Sequence, residues 1–546
     1  MTGKDHTTAA REIGFPPWLA ALTALLCGWA VMVLEIMGSR VIGPFFGASL
    51  FVWTSLIAVT MIALAAGYWL GGKLADRSPT PDTLYLLIAA AGGLTCLTPL
   101  YKSAVIKACV PLGLRLGSFS SALILFGPPL FLMGCVSPYL VRLSARNLDK
   151  LGSYVGGLYS LSTVGSIIGT VGTGFVLIAY LGVTKIFLVV GGVLLLLSAL
   201  YWLLLNKNGK LGGMALLILL AAVAVSPIGG VERTHRMDSG TLATLLEEAE
   251  GFYGNVKVVD YTYGVERVRE LTIDGMIQGG VDLRNGLSIY EYLYMMEYLP
   301  MAIRPGGKRC LVLGLGAGTV PMWYERHGVT TDVVDIDENV VRMARKYFGF
   351  RLNGNIFVED ARYFLESTER RYDYVILDVY NGDSTPFQML SVESFTAVKR
   401  CLAPGGVIGV NLHGAIDGRS MLTNSVVATM GKVFGAVDIF PVYDTKKGDH
   451  GNLALMGHER LERDDIGVVF DSSELHPVVR QTMPVFLGAR TQLPGSAKSF
   501  IISDEFNPAD FLDIEIREET RKNIIETTPW GILLGYGGVM GPRSVT

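Results

Sequence analysis

The sequence predicts a chain in two parts: an N-terminal polytopic α-helical membrane domain, then an α/β domain preceded by a small β region. Three observations predict it. Long uncharged windows recur through the first 230 residues, the composition changes near Val231, and beyond that point short apolar runs ending in Gly or Asp alternate with helical stretches. The expected boundaries are a polar tail over 1–14, a membrane domain over 15–230, a linker and small β region over 231–300, and the main α/β domain over 301–546.

The membrane part comes from length and composition. The chain has 546 residues, 50% hydrophobic and 17% charged, too long for one domain and too apolar for an ordinary soluble protein. A spanning helix needs roughly 20 mostly apolar residues, because lipid offers no partner to a bare backbone amide. Seven windows meet that length: Ile13–Leu34, Val41–Gly72, Thr83–Tyr101, Leu116–Val141, Leu151–Thr184, Ile186–Asn206 and Leu211–Val231. A soluble core would have to hide all seven in succession without an amphipathic face. The first window lacks the basic-then-short-apolar layout of a cleaved signal.

Details within these windows carry further expectations. Lys102, Lys107 and Arg115, spread around Pro111, predict an interfacial helix. Gly165 and Gly169 form a GxxxG pair and predict close helix contact. Glu35 lies five residues before Arg40 and reads either as its ion partner or as a functional intramembrane carboxylate. Gly67–Arg77 resembles the loop after the second helix of major facilitator transporters, over that loop alone.

Orientation is set by Lys and Arg in the flanking segments. With the N-terminus inside, nine fall on the inner side (Lys4, Arg11, Lys73, Arg77, Arg142, Arg146, Lys150, Lys207, Lys210) and five on the outer (Arg40, Lys102, Lys107, Arg115, Lys185). Seven spans from an internal N-terminus would place the C-terminal domain outside, away from cytosolic nucleosides. The expected location is nevertheless the cell membrane, multi-pass, with the C-terminal domain cytosolic.

The net charge of −3 gives no global case for nucleic acid. Cys27, Cys96, Cys109 and Cys135 lie in or beside apolar windows, while Cys310 and Cys401 are isolated. Neither a metal site nor a disulfide framework is expected.

In the soluble half, Tyr253–Asp260 and Glu270–Gln278 read as strands of the small β region, with a turn at Asp274-Gly275. Arg309–Leu313 is a buried strand, Gly314-Leu-Gly-Ala-Gly318 a tight turn, Val320–His327 a helix, and Thr331–Asp335 a strand ending on a carboxylate. This is a nucleoside-binding βαβ unit: the glycines let backbone approach the ligand, and an acid at the second strand's tip can accept the ribose hydroxyls. Dinucleotide sites want a third glycine where this chain has Thr319; GxGxG is the spacing of S-adenosyl-dependent folds. The expected class is therefore a Rossmann-like fold of the S-adenosylmethionine-dependent methyltransferase type. Further strands, Asn355–Asp360, Tyr374–Asp378 and Gly406–Asn411, would bring Asp335, Asp360 and Asp378 to one cleft at their carboxyl ends. Asp360 can bond the adenine amino group and Asp378 can face the reacting carbon; either acid can also serve as a structural cap.

Asp274-Gly-Met-Ile-Gln278, Tyr292 before Pro300, the GxGxG turn, Asp335-Ile-Asp337, Asp360-Ala361 and Leu377-Asp-Val-Tyr-Asn-Gly-Asp-Ser-Thr-Pro386 follow, in order, the pattern of spermidine synthases. Over residues 250 to 415 the chain resembles that family, specifically its membrane-fused branch, and Ile502–Pro508 is similar to a late acidic segment of that branch. The resemblance implies an aminopropyltransferase using decarboxylated S-adenosylmethionine as co-substrate, with no tightly bound cofactor, and a diamine such as putrescine as acceptor. It implies Asp378 as base, a donor site of Gly314, Gly316, Gly318, Asp335, Asp360, Ala361 and Pro386, and an amine site of Tyr292, Gln278 and Asp383. A homodimer is implied by the soluble relatives.

The chain also departs from that pattern. Where similar synthases carry an Asp that holds the aminopropyl ammonium, it has Ala317; Gly254 stands for a donor-binding Gln, and Leu293 for a substrate-side His or Gln. A methyltransferase or another amine alkyltransferase, and a transporter or sensor that binds a nucleoside without chemistry, stay open. Intact S-adenosylmethionine would need a basic partner for its carboxylate, for which Arg309 and Arg362 are the nearest candidates.

Overall fold

The computed structural model describes residues 15–47, 50–144, 151–178, 181–225, 234–237, 239–380, 385–416, 420–445, 450–459, 466–493, 497–512, 514–529 and 532–533. It forms two compact units, residues 1–42 with 51–229, and residues 43–50 with 230–546.

The first unit is helical. Its helices are α1 (Pro17–Phe46), α2 (Leu50–Arg77), α3 (Pro81–Cys109), α4 (Gly113–Gly134), α5 (Val136–Ser144), α6 (Leu151–Gly172), α7 (Val183–Leu200) and α8 (Gly209–Val225). Among the described residues, five helical stretches are long and apolar enough to cross a membrane, Pro17–Phe46, Phe51–Arg77, Pro81–Ser144, Leu151–Leu177 and Val183–Leu205; Gly209–Ala224 is apolar but shorter. The third stretch holds 64 residues and folds back on itself at Val110–Leu112, where Gly113 takes φ 78°. It therefore covers two of the seven apolar windows.

Two local expectations need correction. Lys102 and Lys107 do not begin an interfacial helix, because α3 continues unbroken to Cys109. Gly67–Arg77 is no loop but the last three turns of α2, where a Cβ on Gly67 or Gly71 would crowd the backbone at Phe131 and Cys135. The GxxxG pair does bring helices together: a Cβ on Gly169 would lie 2.6 Å from the Trp29 carbonyl oxygen, one on Gly165 would collide with that of Leu25, and Ser166 Oγ donates to the Gly28 carbonyl at 3.2 Å. Glu35 and Arg40 both fall inside α1.

The second unit opens with an antiparallel sheet in simple order, β1 (Thr234–Arg236), β2 (Leu242–Gly251), β3 (Gly254–Tyr263), β4 (Glu266–Ile273) and β5 (Met276–Asp282). The turn expected at Asp274-Gly275 is present, and it divides Glu270–Gln278 between β4 and β5 as a hairpin. Asp274 (φ 48°) and Gly275 (φ 81°) are both left-handed, the geometry that matches strand twist in a two-residue turn, and Ile273 pairs with Met276.

After helix α9 (Glu291–Ile303) comes the main sheet: β6 (Arg309–Leu313), α10 (Thr319–Arg326), β7 (Thr330–Asp335), α11 (Glu338–Tyr347), β8 (Ile356–Val358), α12 (Ala361–Ser367), β9 (Tyr372–Leu377), α13 (Val392–Cys401), β10 (Leu402–Gly414), α14 (Met421–Phe434), β11 (Ala436–Val442) and β12 (Gly451–His458), with short α15 (Met483–Gly488) and α16 (Ile514–Thr527) beyond. The strand order is β11-β12-β10-β9-β6-β7-β8, and β12 alone runs against the rest. This is the Rossmann-like, methyltransferase-type sheet the glycine spacing predicts. Apolar cores fill both faces, one around Val312, Tyr324, Tyr374 and Met456, the other around Leu311, Leu377, Phe395 and Leu455. Order reverses between β7-β6 and β9-β10, so a crevice opens beyond the ends of β6 and β9, where this class of sheet takes its ligands.

Candidate functional site

The crevice is built on the glycine turn after β6. Gly314 N–H donates to the Val334 carbonyl at 2.8 Å, and Asp378 N–H to the Leu313 carbonyl at 2.9 Å, so the turn is clamped between β7 and β9. Gly316 has φ 53°, and a Cβ there would collide with the Gln278 carbonyl of β5. Only glycine lets the small sheet rest on this turn. Gly318 (φ 80°) starts α10 against Phe350. Ala317 is buried, and Gly279 of β5 lies close enough that a Cβ on it would be 3.1 Å from that of Ala317.

Asp335 ends β7. Its Oδ2 accepts from Leu315 N–H at 2.8 Å and its Oδ1 from Asp337 N–H at 2.9 Å, which ties the carboxylate to the glycine turn. Burial raises it to about 6, against the pull of those two donors. Each oxygen keeps a lone pair for a ribose hydroxyl. Asp360 caps α12, accepting from Tyr363 N–H at 3.0 Å, and Ala361 is the first residue of that helix. The cap uses one oxygen of Asp360 and leaves the other for a ligand.

Asp378 follows β9. Asn411 Nδ2 donates to its Oδ1 at 2.8 Å, and burial raises it to about 6 with that bond pulling down. Tyr292 packs nearby: its phenol is raised well above its ordinary value by burial first, then by Asp378 and Tyr380. Tyr380 donates to the Asn411 carbonyl at 3.1 Å. Asp378, Tyr292, Tyr380 and Asn411 thus form one cluster, a carboxylate half-neutralised at about pH 6 among aromatic walls. Pro386 opens a short turn over Phe387–Met389, and Asp383 lies outside the described residues.

Two groups here escape a reading of the sequence. Asn411 is legible only as the end of a strand; its neighbouring position to Asp378 depends on the β9–β10 pairing. Glu270, buried within β4, accepts from the Tyr290 hydroxyl, and burial lifts it to about 7. A lone acid in a strand is the available signal. Of the two basic candidates, Arg309 stands at the opposite end of β6 beside Asp332 (3.9 Å), and Arg362 is engaged by Glu366 (3.0 Å) and Asp504 (2.9 Å). Both face carboxylates of the chain itself.

Residues 290–443 match the family model described as "Spermine/spermidine synthase domain". A probable polyamine aminopropyl transferase of Bifidobacterium longum is 32% identical over 138 residues, 24% of this chain and 30% of the relative. An N-terminal histidine N-methyltransferase of Emericella nidulans is 34% identical over 116 residues, 20% of this chain and 21% of the relative. The chain therefore spans less than a third of the length of these two curated relatives. Among solved structures, a probable spermidine synthase from Corynebacterium glutamicum aligns over 46% of this chain and 97% of its own, at 25% identity and a TM-score of 0.36. Over residues 290–443 the chain is therefore similar to spermine/spermidine synthase domains.

Proposed function

We propose that this chain is a membrane-anchored aminopropyltransferase that moves a 3-aminopropyl group from decarboxylated S-adenosylmethionine to putrescine or a related amine, releasing methylthioadenosine. The observation that carries the reading is Asp378, raised to about 6 and held by Asn411 beside the donor turn. An alkylammonium has a pKa of about 10 and must lose a proton before it attacks. Asp378 accepts that proton; the freed nitrogen lone pair forms a bond to the propyl carbon next to sulfur, and the C–S electron pair leaves to give a neutral thioether. The sulfonium is already a good leaving group, so positioning by Tyr292, Gln278 and Asp383 supplies much of the acceleration. Gly314, Gly316, Gly318, Asp335, Asp360, Ala361 and Pro386 hold the nucleoside.

The reading places the chain in the cell membrane through its apolar helices, with the α/β unit in the cytosol, where adenosyl donors are made, and pairs it as a homodimer. A reporter fused to the C-terminus tests the side; an external signal overturns the cytosolic mechanism.

One observation favours a second reading. Ala317 offers no charge to an aminopropyl ammonium, and one similar protein is a histidine N-methyltransferase, so methyl transfer from intact S-adenosylmethionine to an amine is the alternative. The deciding experiment incubates the purified protein with putrescine and each donor in turn. Spermidine and methylthioadenosine by mass spectrometry support aminopropyl transfer; N-methylputrescine and S-adenosylhomocysteine replace it with methyl transfer.

A further inference from the structure

A second pocket, of about 380 Å³, opens between α9 and α10, away from the Asp378 cluster. Its size falls in the range of small-molecule sites. Tyr294 and Glu297 line it from α9, Trp323 and Arg326 from α10, Arg351 from the segment after α11, and Glu474 from the chain beyond β12. Three acids line it, and two of them are engaged: Glu325 accepts from Thr331 N–H at 3.0 Å and from Asn353 Nδ2 at 2.6 Å. Glu474 is satisfied: its Oε2 accepts from the Tyr298 hydroxyl at 2.9 Å and from the Trp323 indole at 3.1 Å, with His327 at 3.3 Å.

Glu297 is only 4% exposed, and its Oε2 has no hydrogen-bond partner among the described residues. A buried carboxyl oxygen without a partner is costly, which makes it unusual unless something else is there to meet it. Burial pushes this acid well up, Arg326 pulls it down, and Glu474 adds to the upward push. A cation placed against it would remove that penalty. Arg326 and Arg351 are exposed and form no hydrogen bond or ion pair among the described residues. A simple diamine would meet these two guanidinium groups as like charges, and a simple anion would bring no donor to the unpartnered Glu297 oxygen.

We propose that this pocket binds a small zwitterion of the amino-acid class, its ammonium against Glu297 between Tyr294 and Trp323, its carboxylate against Arg326 and Arg351. The site is distinct from the reaction crevice, since none of its lining residues belongs to the donor or amine sets. Thr319, the first residue of α10, also lines it, so an occupant touches the helix that begins at the donor turn.

The test is calorimetric titration of the full chain in detergent with glycine, 4-aminobutyrate and 6-aminohexanoate, which differ in charge spacing, and with butylamine and butyrate as half-molecules. At least one zwitterion is expected to bind, with each half-molecule weaker by about tenfold or more, as loss of a charged hydrogen bond requires. Glu297→Gln and Arg326→Gln should each weaken the zwitterion about tenfold while leaving methylthioadenosine affinity, the check on folding, unchanged. Arg326 is exposed, so its variant keeps the test decisive if Glu297→Gln fails to fold. No binding by any of the three zwitterions, equal affinity for butylamine, or undiminished binding in a folded variant overturns the proposal.

Discussion

Replacing Asp378 by asparagine should make the protein more stable and less active, and the stabilisation should depend on pH. Burial lifts Asp378 from 3.8 to about 6. Each tenfold change in an ionisation equilibrium is worth about 1.36 kcal/mol, so ionising this group inside the fold costs up to about 3 kcal/mol. The folded value lies above the unfolded one; the favourable contribution is therefore complete below about pH 4, is lost as pH rises to about 6, and stays lost above. The amide of the Asp378→Asn variant does not titrate, and its carbonyl oxygen can keep the bond from Asn411. The variant's advantage should thus be near zero at about pH 4, grow to about pH 6, and then hold level. Part of the Asp378 surface faces the crevice, which makes about 3 kcal/mol an upper bound. For a unit of about 300 residues this corresponds to a melting shift of about 5 °C. Scanning fluorimetry of the full chain at about pH 3.5 and about pH 7.5, on either side of the transition, measures the shift; single-turnover product formation should fall by about a hundredfold or more. A melting difference that is the same at both pH values, or unimpaired turnover, would refute the assignment of a buried base at this position.

The same crevice yields three further outcomes. Asn411→Leu removes the bond that favours ionised Asp378, so the acid limb of kcat/KM, expected at about pH 6, should move to higher pH; an unmoved limb in a pH–rate profile separates Asn411 from the base. Gly316→Ala places a Cβ into the Gln278 carbonyl at a left-handed φ, and should cost about 2 kcal/mol or more in denaturant stability and weaken methylthioadenosine binding with it. Ala317→Asp places a charge where the proposed site would hold the donor tail, and should raise affinity for the decarboxylated donor about tenfold relative to the intact one, measured by competition; equal change for both donors would remove position 317 from donor selection.

What is legible in the sequence divides along physical lines. The strand Arg309–Leu313 appears where expected because a parallel strand covered on both faces needs an uninterrupted apolar run, and the glycine turn after it follows from backbone geometry alone. Strand β2, Leu-Ala-Thr-Leu-Leu-Glu-Glu-Ala-Glu-Gly, is not legible. Its residues are mostly good helix formers, and pairing with β3 along its length and with β1 at its start makes it a strand. The long α3 departs from expectation for the opposite reason: Lys102 and Lys107 signal an interface, yet nothing in helix propensity stops the chain there, and the break comes at Val110–Leu112.

The candidate site divides the same way. Gly314, Gly316 and Gly318 are required by close contacts with Asp378, Gln278 and Phe350, so a reading from spacing finds them wherever the turn exists. On the proposed reading, what is transferred is decided instead by side chains around that frame, and there the chain combines Asp378, the proposed base, with an uncharged Ala317. Backbone geometry is shared by every ligand that presents a nucleoside; charge at position 317 matters only to the tail attached to sulfur. On that reading the nucleoside is legible from Gly314, Gly316, Gly318, Asp335 and Asp360, while the proposed choice between a propyl and a methyl group falls to one side chain packed against Gly279.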